Sequence, residues 1–285
     1  MKTTTRCNHN GWSPRLIEWI EGQTAFISVV FSWQMQRAYQ RAVWLWAEGY
    51  NVRAGGPAVA LNPRYLEPVA QIGGIIDALP HHNPNATFTS RGCIRSCPFC
   101  AVPTTEGDLV ELQNWEPKPI VCDNNLLACS RTHFDRVIDR LNGIPQVDFN
   151  QGLDARLLIP YHAERLAKLD LFCVRLAWDH IGEESAVRRA VDILVAAGIP
   201  RKRIRVFCLI GWNDTPEDAL YRLTSVIQLG GYPNPMRYQP LDSRQKNEYV
   251  GPAWTHRELQ RYMRYWANYF HLGSIPFAEF DMGLR

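Results

Sequence analysis

A regular alternation of short apolar segments with helix-patterned segments runs from residue 86 to residue 241 and restricts the fold more than any other feature. Such alternation predicts a parallel sheet with right-handed crossovers, and the apolar short segments are typical of strands covered on both faces. The predicted strands are 86–90, 119–122, 146–151, 171–178, 203–210 and 236–241. The predicted helices are 132–141, 159–169, 183–197 and 215–229. The sequence therefore predicts an α/β fold.

The flanking segments are patterned less regularly. Residues 24–31 predict a strand and 33–50 a helix, and residues 51–61 predict a second strand with the turn Gly55-Gly56-Pro57 after or within it. This is one β-α-β unit, too short for a complete dinucleotide-binding fold, and it carries no GxGxxG motif. Further helices are predicted over 63–79 and, short, over 12–20. The aromatic-rich segment 252–285 predicts a helix that closes the open side of the sheet, with a base-stacking surface as the alternative.

Composition and net charge do not indicate a particular class of binding partner. The chain has 285 residues, 46% hydrophobic and 21% charged, with a net charge of +3, the balance of a soluble globular protein. That charge neither requires nor excludes nucleic acid. The first residues lack an apolar core and no apolar run approaches a membrane span, so we expect a cytoplasmic protein without a membrane partner.

Polar residues recur where the predicted strands end. They are Cys93–Cys100, Asp123–Asn125, Asp154, Asp179-His180, Asn213-Asp214 and Asp242. Because the carboxyl ends of parallel strands meet at one edge, these residues are candidates for a common site. Each is also of a type that commonly begins a helix, so an ordinary structural role is the competing interpretation.

Three of the eight cysteines, Cys93, Cys97 and Cys100, lie within eight residues of one another. Gaps of three and two residues do not suit relaxed disulfides between neighbours, but a loop of this length can wrap three thiolates around a metal centre. The other cysteines form no regular framework. Cys122 with Cys129 is a further candidate pair, although buried free thiols are the favoured interpretation.

Two other candidate metal pairs are favoured as ordinary structure. Cys7 with His9 is interpreted as part of a frayed amino terminus. The tandem His81-His82 is interpreted as part of an exposed loop.

The spacing Cys93-x-x-x-Cys97-x-Phe99-Cys100 resembles the CxxxCxΦC signature of the radical S-adenosylmethionine (radical SAM) enzymes, in which Φ is aromatic. The resemblance extends over about residues 86–241, where six βα units match that family's partial (β/α)6 barrel, a TIM-like fold. It implies an incomplete Rossmann-like segment over 1–80, the barrel over 81–245 and a helical extension over 246–285. It also implies a [4Fe-4S] cluster and S-adenosylmethionine as cofactors. The cysteines look like the cluster ligands.

In that family the cluster leaves one iron open to S-adenosylmethionine, and one electron then yields a 5′-deoxyadenosyl radical that abstracts hydrogen from substrate. The resemblance assigns further cofactor-binding residues. Some of them differ in type from the residues of the family motif, and these are assigned only because they occupy the corresponding positions after the predicted strands. They are Phe99 beside the adenine, the triplet Asp123-Asn124-Asn125 where Gly-Gly-Glu receives the amino group, with Asp123 as the acceptor, Arg175 for the carboxylate, Asp179 for the ribose, and Gly211 with Asp214 on the adenine side. His180 departs from the family pattern and is a candidate for substrate contact. We expect no cobalamin, because the DxHxxG motif is missing.

The resemblance implies a one-electron donor of the flavodoxin or ferredoxin kind as a partner. It leaves the substrate open: a nucleoside, a nucleic acid or a small natural-product intermediate. The alternative is a non-catalytic zinc or iron–sulfur module for nucleic acid, with His81, His82 or Cys122 as a fourth ligand. The basic run 201–205 would then contact phosphate, but it is predicted at the end of the sheet opposite the cysteines, where a solvated turn is favoured.

Overall fold

The computed structural model describes residues 11–12, 16–73 and 77–283. Its strands are β1 (Ile17–Glu21), β2 (Thr24–Ser28), β3 (Asn51–Gly55), β4 (Gln71–Ile72), β5 (Ala86–Thr87), β6 (Ser90–Arg91), β7 (Val110–Glu111), β8 (Ile120–Val121), β9 (Val147–Phe149), β10 (Leu171–Ala177), β11 (Ile204–Ile210) and β12 (Tyr232–Arg237). Its helices are α1 (Met35–Ala47), α2 (Pro57–Leu61), α3 (Leu79–His82), α4 (Val102–Thr105), α5 (Arg131–Leu141), α6 (Pro160–Leu166), α7 (Glu184–Ala196), α8 (Pro216–Gln228), α9 (His256–Trp266) and α10 (Tyr269–Leu272).

The main sheet has six strands in the order β5-β8-β9-β10-β11-β12, and every neighbouring pair is parallel. The order of strands follows the chain, as it does when each crossover helix returns on the same side. The predicted α/β class with a parallel sheet is confirmed. The carboxyl ends of the strands consequently share one edge, which we call the upper edge.

Side chains alternate strictly along β11. Ile204, Val206, Cys208 and Ile210 are buried in the core together with residues of α7 and α8, whereas Arg205, Phe207 and Leu209 take the intervening positions. Successive side chains of a strand point to opposite faces, so these three lie on the face away from the crossover helices. We call it the helix-free face.

The helix-free face is covered at one end of the sheet. Ala86, Ile120 and Cys122 pack there against Trp12, Leu79 and Phe88. At the other end the same face is more open, since 50% of Met236 on β12 is exposed.

The amino-terminal unit forms a second sheet in the order β1-β2-β3-β4. β2, α1 and β3 make the predicted β-α-β unit with parallel pairing, and β4 extends it. Ala38, Ala42 and Leu45 of α1 are buried against this sheet. The contacts of this unit with the rest of the chain include Ser28, whose Oγ lies 2.9 Å from Nε2 of His82, and Trp19, whose ring stacks on that of His81.

Several predicted elements were wrong at the edges of the two sheets. The short helix predicted over 12–20 is wrong because β1 occupies Ile17–Glu21 and pairs antiparallel with β2. The helix predicted over 63–79 is also wrong, because Gln71–Ile72 pairs with β3; residues 74–76 lie outside the described chain. His81 and His82 belong to α3 rather than to a loop.

Two strands of the main sheet differ from their predicted bounds. The predicted strand 86–90 is interrupted: β5 ends at Thr87, and β6 pairs antiparallel with β7 instead. The predicted strand 236–241 lies too late, because β12 begins at Tyr232 and contains Pro233 and Pro235. Proline lacks an N–H donor and is tolerated in an edge strand, which is the position of β12.

The carboxyl-terminal segment packs on the edge of the sheet through α9, which contacts β12. Thr255 and Glu258 form a reciprocal capping box that fixes where α9 begins. Tyr262, Tyr265 and Trp266 are buried in the main core, so these aromatic side chains pack rather than present a stacking surface. Within residues 11–12, 16–73 and 77–283, no helix is long and apolar enough to cross a membrane.

Candidate functional site

The cysteine loop, residues 92–101, connects β6 to α4 at the upper edge of the main sheet. Gly92 adopts a φ of +73°, and a Cβ there would lie 2.0 Å from the carbonyl oxygen of Asp108, so only glycine fits. The Cys93 amide donates to the carbonyl of Gly107 at 3.2 Å, and the Cys100 amide donates to that of Cys97 at 3.0 Å. The first hydrogen bond therefore closes the base of the loop, and the second forms a turn at its tip.

Glu106 holds the base of the cysteine loop from the opposite side. Its Oε2 accepts from Arg91 Nε at 2.9 Å, from the Gly92 amide at 2.9 Å and from Asn124 Nδ2 at 2.8 Å. The Glu106 side chain is 13% exposed. A single carboxylate oxygen thus joins the end of β6, the start of the loop and the segment after β8.

The three thiols of the loop are half-buried. Burial raises the pKa of Cys97, and the guanidinium of Arg156 opposes that rise. Burial also raises the pKa of Cys100, and the neighbouring Cys97 and Cys93 thiolates add to it. Burial therefore favours the neutral thiols of Cys97 and Cys100, and binding as thiolates would require a cation, which a metal centre would provide.

The sulfur of Cys93 has two N–H donors. The Arg95 amide lies 3.4 Å from Sγ, and Asn125 Nδ2 lies 3.6 Å from it. Hydrogen bonds of this kind to the ligating sulfurs tune iron–sulfur clusters. Asn125 is 3% exposed, and its Oδ1 has no hydrogen-bond partner among the described residues. A buried acceptor without a donor is costly, so this atom marks a position suited to a ligand N–H group.

Two arginines and two acids link the loop to the neighbouring strand ends. Asp154 accepts from Arg95 Nε at 3.1 Å and from Arg156 Nε at 2.7 Å. Arg156 Nη1 also donates to Glu183 Oε1 at 3.0 Å. Burial opposes ionisation of Asp154, but the Arg156 hydrogen bonds and the nearby Arg95 charge hold its pKa below the ordinary value.

Asp179 lies beside the same network. Burial raises its pKa to about 6, the Glu183 carboxylate adds to the rise, and the Arg222 charge opposes it. The Asp179 carboxylate also contributes to the raised pKa of Cys97, so the predicted ribose-binding residue and the cysteine loop do come together. His180 is exposed, and its Nδ1 accepts from the Gly182 amide at 3.0 Å, which caps the following turn.

Phe99 brings the loop to the end of β11. Its ring meets that of Trp212 edge to face, with centroids 5.1 Å apart, and Trp212 in turn lies 6.2 Å from Tyr238. The loop and the segment after β11, both predicted to lie beside an adenine, are therefore in contact.

Other predicted cofactor residues already have partners. Asp123 is 3% exposed and accepts from the Thr89 amide at 2.6 Å, from the Ser90 amide at 3.0 Å and from the Thr89 hydroxyl. Asn124 donates to Glu106. These two side chains hold the backbone around β6, and their role towards a cofactor stays a prediction.

Asp214 and Arg175 are each paired within the fold. Asp214 accepts from the Gly211 amide at 2.9 Å and from Arg222 Nη2 at 2.5 Å, and Arg222 is fully buried. Arg175 makes two hydrogen bonds to Asp148, at 2.7 Å and 2.5 Å. Gly211 itself approaches α9 closely, since a Cβ would lie 2.7 Å from a Leu259 methyl group. Their roles towards a cofactor also stay predictions.

The structure adds site residues that the motif did not single out. Asn125 belongs to the triplet that the resemblance aligns with Gly-Gly-Glu, but its hydrogen bond to the Cys93 sulfur was not predicted. The sequence identified Asp154 only as one of the polar residues that follow the predicted strands. Glu106, Arg156 and Glu183 carried no sequence signal, because their roles depend on which loops meet at the upper edge.

The ligands that a zinc site would need lie elsewhere. His82 contacts Ser28, and the His81 ring stacks on Trp19 with centroids 4.0 Å apart. Cys122 is buried on the helix-free face, and Cys7 with His9 lies outside the described residues.

No three His, Cys, Asp or Glu side chains in the described ranges are grouped to hold one metal ion. In a [4Fe-4S] cluster each cysteine binds its own iron, so the sulfurs stand farther apart than the ligands of a single ion. The donor types and hydrogen bonds of the cysteine loop fit such a cluster.

The basic run 201–205 is engaged at the lower end of the sheet. Arg201 donates to the Leu229 carbonyl at 2.7 Å, and Arg203 donates to the Leu171 carbonyl at 2.6 Å. These contacts agree with a structural turn rather than with a phosphate-binding surface.

A comparison with protein-family models and with curated proteins found no match for this chain. Its function is therefore inferred from the cysteine motif and from the geometry of the upper edge.

Proposed function

We propose that this protein is a radical SAM enzyme that binds a [4Fe-4S] cluster and S-adenosylmethionine at the upper edge of the main sheet. The observation that carries the proposal is the position of the cysteine loop. It lies at the carboxyl ends of six parallel strands whose order follows the chain, and Asn125, Asp179 and Trp212 come from the ends of three of those strands. Parallel α/β folds place their chemistry at this end.

In this proposal the six-stranded sheet is the wall of a partial (β/α)6 barrel, with the amino-terminal unit and α9 at its two sides. Cys93, Cys97 and Cys100 would hold the cluster and leave one iron for S-adenosylmethionine. When bound and reduced by an external one-electron donor, the cluster would supply the electron for reductive cleavage of S-adenosylmethionine.

The chain's own residues bind and orient. Glu106 holds the base of the loop, and the Arg95 amide and Asn125 Nδ2 donate to the Cys93 sulfur. The unpartnered Asn125 Oδ1 is the acceptor for the amino group of S-adenosylmethionine. Phe99 and Trp212 form the aromatic wall for its adenine, and both rings keep water away from the loop.

Anaerobic reconstitution with iron and sulfide tests the cofactor directly. The protein should become brown with about four irons and four sulfides per chain. With dithionite and S-adenosylmethionine it should release 5′-deoxyadenosine. Cys97→Ala should lose the colour and the cleavage, whereas Cys129→Ala, outside the loop, should keep both. A colourless zinc-loaded protein, or a Cys97→Ala variant that still cleaves, would contradict the proposal.

The substrate class and the electron donor follow from the same reaction type. A donor of the flavodoxin or ferredoxin kind supplies one electron, and a nucleoside, a nucleic acid or a small-molecule intermediate supplies the hydrogen. Measuring deuterium transfer into 5′-deoxyadenosine from candidate substrates labelled at single carbons identifies the atom attacked.

A further inference from the structure

Asp154 is held in one orientation at the upper edge by the segment that follows β9. This segment turns at Gly152, whose φ is +93°, and the Leu153 amide donates to the Arg175 carbonyl of β10 at 2.8 Å. Arg156 donates from Nε to Asp154 Oδ1 at 2.7 Å and from Nη2 to Oδ2 at 3.1 Å. This forked pairing fixes the plane of the Asp154 carboxylate, whose side chain is 7% exposed.

The Oδ2 atom of Asp154 also accepts from two donors outside its own segment. Arg95 of the cysteine loop donates to it from Nε at 3.1 Å, and Asn125, which follows β8, donates from Nδ2 at 3.4 Å. The same Asn125 nitrogen lies 3.6 Å from the sulfur of Cys93. A side-chain amide nitrogen carries two hydrogens, so one NH2 group can donate to both the carboxylate and the sulfur.

These two contacts determine the orientation of the Asn125 amide. Asp154 Oδ2 and the Cys93 sulfur are both acceptors, so the amide nitrogen faces them. The opposite orientation would place Oδ1 against a carboxylate and a sulfur, and both hydrogen bonds would be lost. Asn125 is 3% exposed, and its Oδ1 has no hydrogen-bond partner among the residues that the structure describes. The buried oxygen is therefore left to accept from a ligand.

We propose that Asp154 is a positioning residue that fixes the Asn125 amide, with Nδ2 toward the cysteine loop and Oδ1 toward the amino group of S-adenosylmethionine. This role rests on the proposed function, which supplies the ligand. Asp154 acts through Asn125 rather than on the ligand itself. Its negative charge is balanced by Arg95 and Arg156, and Glu183 Oε1 holds Arg156 in turn by accepting from Nη1 at 3.0 Å.

The cofactor-free protein tests how the Asn125 amide is held. After labelling with 15N-asparagine, the Asn125 side-chain signal is the one that Asn125→Ala lacks. Asp154→Asn removes the charged acceptor at constant size, so the Asn125 amide hydrogens should exchange with solvent about tenfold faster than in the wild type. Asp139→Asn is the matched control and should exchange like the wild type, because Asp139 also pairs with an arginine, Arg165, but its side chain is 68% exposed.

Equilibrium binding of labelled S-adenosylmethionine to the reconstituted protein, compared at equal iron content, tests the direction of Oδ1. Asn125→Ala should bind about tenfold more weakly, because a hydrogen bond to a charged amino group is lost. Asp154→Asn should bind about tenfold more weakly as well, because the Asn125 amide is then able to turn over. The double variant should also lose about tenfold rather than about a hundredfold, since both changes act through the same oxygen. Asp139→Asn should bind like the wild type.

Losses that multiply in the double variant would overturn this role, and so would an Asp154→Asn protein that exchanges and binds like the wild type. If Asp154→Asn does not fold, Asp154→Glu replaces it. Glutamate keeps the charge for both arginines but displaces the oxygen that faces Asn125, so binding should weaken about threefold to tenfold. A wild type without a cluster, or one that does not bind S-adenosylmethionine, would refute the proposed function and the assigned ligand. Unchanged amide exchange in Asp154→Asn would refute the positioning role on its own.

Discussion

Glu106→Gln is the substitution that most sharply tests how the cysteine loop is held. One carboxylate oxygen accepts three hydrogen bonds, from Arg91, Gly92 and Asn124, and the side chain is 13% exposed. Glutamine keeps the size of the side chain and one acceptor, but removes the charge that strengthens all three bonds. A hydrogen bond to a charged group contributes about 1.5–3 kcal/mol, and a neutral one about 1 kcal/mol. With three bonds weakened and one partner cationic, we expect a loss of about 2 kcal/mol in the free energy of unfolding.

The loss should appear in two measurements. Urea unfolding should give a lower midpoint with an unchanged slope, because the surface exposed on unfolding stays the same. The reconstituted protein should also release iron to a chelator several-fold faster than the wild type, because the loop opens more often. Glu116→Gln is the matched control, since the Glu116 side chain is 77% exposed and its ion-pair partner among the described residues is Lys118. Identical unfolding and iron release for the two variants would refute the role given to Glu106.

Three further outcomes follow from the site. Asp214→Asn leaves the fully buried Arg222 charge without its carboxylate and should cost about 3–5 kcal/mol in urea unfolding; a cost below about 1 kcal/mol would show that the pair is not needed. Burial raises the folded-state pKa of Asp123 above 3.8, so the folded protein binds this proton more tightly and loses stability as pH rises through that pKa. Asp123→Asn should therefore show a smaller fall in stability than the wild type as the pH rises above about 4, and an equal fall would remove Asp123 as its source. Trp212→Ala removes the partner of Phe99 and should weaken binding of S-adenosylmethionine about tenfold with iron content unchanged, whereas unchanged binding would place the adenine elsewhere.

The main sheet was predictable because strong local signals for helix starts and helix ends separate its strands in the sequence. Pro160 and Pro216 mark helix starts, and Gly198 follows the end of α7, so the alternation could be read without tertiary information. The edges were not predictable in this way. Pro233 and Pro235 argue against a strand on local grounds, and only their position at the edge of the sheet makes β12 possible.

The site was predictable to the extent that it is local in sequence. The three cysteines and Phe99 lie in one loop, as their spacing requires, whereas the metal chemistry implied by the resemblance stays a prediction and the contact of Phe99 with Trp212 was not predicted. The partners of Asp214 and Arg175 were not predictable. Arg222 contacts Asp214 because of the phase of its helix, and Asp148 contacts Arg175 because of the register of neighbouring strands. Neither can be read from the local sequence.

The central claim is that the cysteine loop holds a cluster with one iron open to S-adenosylmethionine. Electron paramagnetic resonance of the reconstituted, dithionite-reduced protein tests it most directly, with and without S-adenosylmethionine. We predict an iron–sulfur signal whose g-values shift when S-adenosylmethionine is added, and which is absent from Cys97→Ala. A signal that S-adenosylmethionine leaves unchanged, or one that persists in Cys97→Ala, would contradict the assignment of this loop.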